Sequence, residues 1–183
     1  MSVYPEGVEV QMHADLSDCG TYRYWLSRAW GRSPVGGHRS LAFIMLNPST
    51  ADAEQDDPTI RKCVGFARRF GYDAISIFNL YALRATDPKV LLRALRAGED
   101  AVGPDNDERL RTLLAARLSV GAPVVAAWGA HAPDSRVRQV LDMPGARALH
   151  SLALTARGVP RHPLMLGYEG AVLRPLVDGG DHA

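Results

Sequence analysis

Four short, almost purely apolar runs decide what this chain can fold into: SLAFIML (residues 40–46), AISIFNLYAL (74–83), PVVAAWG (123–129) and ALHSLAL (148–154). A strand open to water on one side shows polar residues at every second position, so runs like these are strands covered on both faces. Between them lie segments of helical periodicity. Asp57-Pro58 opens the first, with aspartate as N-cap and proline at the first helical position. Ile60, Cys63, Val64, Ala67 and Phe70 recur at helical spacing, Arg61, Lys62, Arg68 and Arg69 lie largely on other faces, and Gly71 closes the helix. Asp87-Pro88 repeats the opening for residues 89–97. GPDND (103–107) leads into a third helix through about residue 118, and a fourth is expected around 135–141. Ahead of them, VEVQMHADL and TYRYWLSRAW flank a Ser-Asp-Cys-Gly turn and read as a β-hairpin within residues 8–30, followed by a loop over 31–39. The expected fold class is α/β: a three-layer α/β/α arrangement with a four-stranded, mainly parallel sheet and the hairpin at one edge. The 183 residues fit one domain, with its core over about 40–170.

The N-terminus lacks the basic start and apolar run of a signal peptide, and no apolar stretch approaches the roughly 18 residues of a membrane span. A cytoplasmic protein with no membrane partner is expected. Two cysteines, Cys19 and Cys63, are too few for a disulfide framework or an iron–sulfur cluster, and Cys63 falls on the apolar face of its helix. No metal or cofactor is expected. A net charge of +1 gives no support to a surface coated by nucleic acid, although a local basic patch is compatible with it. The oligomeric state is left open.

In open parallel sheets ligands bind outside the carboxyl ends of the strands. The unusual residues gather there: Asn47-Pro48 ends the first strand, Asn79 lies late in the second, Trp128-Gly129 ends the third and His162 follows the fourth. Each has an ordinary reading as well. Asn-Pro after a strand is often a turn. The amide of Asn79 either satisfies backbone groups or faces a ligand, because a buried amide without partners is costly. His162 either fixes a C-terminal loop or serves the site. Trp128-Gly129 alone is packing plus a turn, and Asp57 alone is a helix cap in a solvated loop.

In order, these pieces resemble a known superfamily. Asn47-Pro48-Ser49 resembles the first motif of the uracil-DNA glycosylases, especially the G-x-N-P-G form of the mismatch-specific branch. SIF-Asn79-LYALRA resembles the strand whose asparagine reads the base edge, and VVAAWGAHA resembles the strand ending in Trp-Gly. His162-Pro163-Leu164-Met165-Leu166 resembles the H-P-S-P-L motif, whose histidine hydrogen-bonds the base carbonyl and whose leucine wedges into the duplex. At closer range, LNPSTADAEQDDPTIRKCVGFARRFGY, NLYALRATDP, GPDND, AWG and RHPL together resemble domain-of-unknown-function family 1643, over nearly the whole chain.

The glycosylase resemblance implies a nucleic acid or nucleotide partner and cleavage of an N-glycosidic bond. Asn47 would orient the attacking water, and His162 would donate to the departing base. Because an amide cannot accept the water's proton, Asp52, Asp56 or Asp57 would assist. Pro48, Ser49, Asn79 and Trp128 would hold the base, and Arg84, Arg157 and Arg161 are candidates for phosphate contact. The sequence departs from the pattern in four places, one of them Ser49-Thr50, which stands where the glycosylases carry Gly or a Tyr-His pair. No glycine precedes Asn47, the loop over 51–57 is acidic, and Leu164-Met165 stands where the family carries Ser-Pro. Two alternatives therefore stand beside a glycosidase: a non-catalytic nucleotide- or nucleic-acid-binding module, and an enzyme of modified-base metabolism.

Overall fold

The computed structural model describes residues 2–31, 39–49, 51 and 54–176. It is a mixed α/β structure. Along the chain come β1 (Gln11–Leu16), β2 (Arg23–Ala29), β3 (Ser40–Met45), α1 (Pro58–Arg69), β4 (Ala74–Asn79), α2 (Pro88–Arg96), α3 (Asn106–Ser119), β5 (Val124–Ala126), α4 (Asp134–Leu141), β6 (Leu149–Ser151) and β7 (Arg174–Pro175). Among the described residues the strands form one seven-stranded sheet in the order β1-β2-β4-β3-β5-β6-β7.

The four apolar runs supply its middle: β3 pairs in parallel with β4 and β5, and β5 in parallel with β6. The count of four strands is corrected to seven. The hairpin lies at one edge, as expected: β2 pairs antiparallel along β4 from Leu26↔Ile77 to Ala29↔Ala74 and so continues the sheet. At the other edge Arg174–Pro175 adds a short strand whose two exposed residues carry no apolar pattern. β5 and β6 are also shorter than their apolar runs. The last ladder pair of β5 is Ile44↔Ala126, and the chain turns off the sheet at Gly129, whose φ of 75° favours glycine.

The pleat sends alternate residues of β3 to opposite faces. Leu41, Phe43 and Met45 pack with Ile60, Cys63, Val64 and Phe66 of α1. Ala42 and Ile44 pack with Leu91 of α2, Leu110 and Leu114 of α3 and Val140 of α4. Both helix openings read from Asp-Pro are present. Asp57 accepts a hydrogen bond from the Ile60 amide at 2.8 Å, and Asp87 accepts one from the Lys89 amide at 2.8 Å. No helix among the described residues is long and apolar enough to cross a membrane.

Candidate functional site

A cavity of about 660 Å³ opens where β3 and β5 end, between the N-terminus of α1 and the 3-10 turn Pro163–Met165. Its wall brings together Asn47, Ser49, Asp57, Trp128, Arg161 and His162, which come from four separate stretches of the sequence. Each is delivered by local structure. Asn47 follows β3 and donates through Nδ2 to the carbonyls of Ala85 (2.8 Å) and Pro48 (3.1 Å), which leaves Oδ1 as the acceptor available to a ligand. Asp57 caps α1 through Oδ1, so its second oxygen remains available. Trp128 is buried with the apolar cluster on the α3 face while also lining the cavity.

His162 lies against Gly129. A Cβ on that glycine would stand 3.2 Å from the Cβ of His162, and the Gly129 amide donates to the Pro160 carbonyl at 3.1 Å. The imidazole Nδ1 accepts from the Leu164 amide at 3.4 Å, which puts the proton of the neutral ring on Nε2. Burial holds the His162 pKa below the ordinary 6.5, while the Asp57 carboxylate pulls it partway back. At neutral pH the ring is therefore an uncharged hydrogen-bond donor through Nε2.

The remaining predicted residues stand elsewhere. Asn79 is fully buried and is not on the cavity wall, and neither of its side-chain polar atoms has a partner among the described residues. It pairs in register with Met45, which does line the cavity, so the two side chains share one face of the sheet. Pro48 is buried behind the wall, its carbonyl accepting from the Ala85 amide at 2.9 Å. Arg84 is off the wall and donates to the Gly20 carbonyl in the hairpin turn at 3.2 Å. Arg157 is exposed and likewise off the wall. Asp52 lies outside the described residues. Asp56 is committed to other work. It accepts from Nε of the fully buried Arg28 at 2.7 Å and from the Tyr4 hydroxyl at 2.5 Å. Leu166 packs into the apolar cluster on the α1 face, whereas Leu164 (48% exposed) and Met165 (72%) stand out at the cavity's lip.

Several polar cavity residues escaped the sequence reading, Thr59, Thr86 and Thr155 among them, and two carry a charge or an imidazole. Arg23, only 2% exposed, lines the cavity and donates through Nη1 to the Ala51 carbonyl. His131, exposed just after β5, lines it too. It sits three residues past Trp128, inside the VVAAWGAHA string, and its place after a strand end was the signal available. Among the described residues no cluster of three or more His, Cys, Asp or Glu side chains could hold a metal ion.

The chain is thus an α/β protein whose polar residues converge at the carboxyl ends of parallel strands. It belongs to the family described as protein of unknown function (DUF1643), which matches over residues 23–164. No curated protein and no solved structure matches it.

Proposed function

We propose that this cavity takes a nucleobase, in nucleic acid or a nucleotide, and hydrolyses its N-glycosidic bond. The observation that carries the reading is the convergence of Asn47, Asp57 and His162 on one cavity. An N-glycosidic hydrolysis needs a water held at the sugar carbon, an acceptor for its proton, and a donor for the base as it leaves with negative charge. Asn47 Oδ1 accepts from the water, and the uncapped oxygen of Asp57 takes the proton as the C–O bond forms. The C–N bond breaks as His162 Nε2–H donates to the departing base. Ser49 and Trp128 border the base. Arg161, exposed at the rim, suits a phosphate, and Arg84 and Asp52 are secondary candidates for binding and for catalysis. Asn79, the ladder partner of Met45, has a side-chain amide without a hydrogen-bond partner among the described residues, and it serves the base edge where the ligand reaches past that methionine.

The same reading carries a closer likeness of fold, in which β4, β3, β5 and β6 with helices on both faces form a glycosylase-type core. Its support is the motif order together with the parallel pairing of those four strands. The test is release of free base from oligonucleotides and nucleosides carrying uracil, hypoxanthine or mismatched bases. Loss of one transition-state donor in His162→Ala should lower the rate by about 10²–10³ with binding largely retained. Asn47→Ala and Asp57→Asn should fall with it. Nucleotide binding without base release by the wild type would replace the hydrolase with a binding module.

A further inference from the structure

The segment carrying His162 does not stop at the cavity. After the 3-10 turn it runs on to Tyr168, which is pressed onto α1 at Gly65. A Cβ on Gly65 would fall 2.3 Å from the Tyr168 hydroxyl oxygen and 2.6 Å from two of its ring carbons, so only a glycine leaves room for that ring. Phe66 meets the ring edge-on, with centroids 4.9 Å apart. The Lys62 ammonium stands 3.9 Å from the ring centroid, close enough for cation–π attraction. Along the way Pro163 is buried and Leu166 packs in the α1-side cluster.

The two ends of this strap are held at different heights of the same helix. His162 is beside Asp57 at the N-cap, and Tyr168 is on Gly65, about 12 Å further along the axis at 1.5 Å per residue. Six residues of chain can span more than that, so the course of the segment is set by its contacts with the protein, Pro163 and Leu166 along the way and Tyr168 at the far end. Gly129, after β5, lies against the near end.

We infer that Tyr168 is a positioning residue and Gly65 its socket, together locking the 162–168 strap onto α1 so that His162 is held in the cavity. The consequence for the active site rests on the reading given under Proposed function, but the lock itself does not. The charged and titratable groups around His162 are Asp57 of α1, Arg161 of its own segment, His131 after β5 and Arg23 of β2. None of them is altered by a change at Gly65 or Tyr168.

The test follows the His162 ring by NMR titration, its signal assigned among the six histidines by its loss in His162→Gln. Gly65→Ala puts a methyl group where the Tyr168 ring stands. Because alanine is a better helix former than glycine, α1 itself is strengthened. In Gly65→Ala and in Tyr168→Ala the released strap exposes the ring, and the His162 pKa should rise from its depressed value toward the ordinary 6.5. Tyr168→Phe should leave it unchanged, because the tyrosine hydroxyl has no hydrogen-bond partner among the described residues. An unchanged His162 titration in both alanine variants, with thermal unfolding still cooperative, overturns the inference. Loss of the folded state in both also overturns it, since Tyr168 would then be part of the core rather than a latch. The NMR readout needs no turnover, so a failed base-release assay would sink the hydrolase and leave the latch standing.

Discussion

Asn79→Leu should stabilise the protein, which is unusual for a substitution at a fully buried position. Leucine keeps the γ-branched outline of asparagine and removes both polar atoms that lack partners. A buried polar group left without a hydrogen bond costs about 1–3 kcal/mol, and the two atoms of one amide share a single desolvated site. Against that relief stands overpacking, about 1 kcal/mol or somewhat more for methyl groups bulkier than the oxygen and nitrogen they replace. The net expectation is a gain of roughly 1 kcal/mol, or a rise in Tm of about 2–4 °C for a chain of this length. The backbone carbonyl of Asn79 keeps its bond from Asn106 Nδ2 at 3.1 Å, so the strand end is undisturbed. Asn106 supplies the contrast. It is equally buried and its Oδ1 also lacks a partner among the described residues, but its Nδ2 donates to the carbonyls of both Asn79 and Leu80, two bonds that a leucine would remove. Asn106→Leu should therefore lose about 1–2 kcal/mol. Urea unfolding of the two variants beside the wild type reads both signs. A loss of 2 kcal/mol or more in Asn79→Leu would mean that the amide is hydrogen-bonded in the native protein, and its availability to a ligand would fall with that result.

Two further outcomes are expected. Arg28→Ala should cost about 3–5 kcal/mol in chemical denaturation, because it removes a fully buried guanidinium and leaves the largely buried Asp56 carboxylate with only the Tyr4 hydroxyl as a side-chain partner among the described residues; a loss under 1 kcal/mol would mean that the pair is effectively solvated. His162 binds its proton less readily folded than unfolded. Between its folded pKa and 6.5 the unfolded chain therefore holds more protons, and stability should fall as pH drops through that window and level off below it. His162→Gln should flatten that part of the pH–stability curve, and a wild type that gains stability on acidification there would contradict the assigned direction.

What the sequence made legible, and what it hid, divides along the range of the interactions involved. The strands β3 and β4 and the openings of α1 and α2 were legible because their signals are local: an apolar run, or a capping aspartate followed by proline. Lateral order was not, because the pairing of β2 with β4 joins residues about fifty positions apart and nothing in either segment names its neighbour. The site divides in the same way. Asn47, Trp128 and His162 follow strands or open turns, and a residue at a strand end in a parallel sheet is already at the mouth of a cavity. Arg23 and Arg28 lie in the hairpin run TYRYWLSRAW, and in an alternating strand an arginine suggests the solvent side. Yet Arg28 falls in phase with Tyr24, Leu26 and Trp30, all of them buried, and that phase was visible in TYRYWLSRAW. An arginine in step with apolar neighbours must either be exposed by a bulge or find a carboxylate inside. Asp56 provides it, and in doing so it leaves the adjacent Asp57 as the described carboxylate of the acidic loop that remains on the cavity wall.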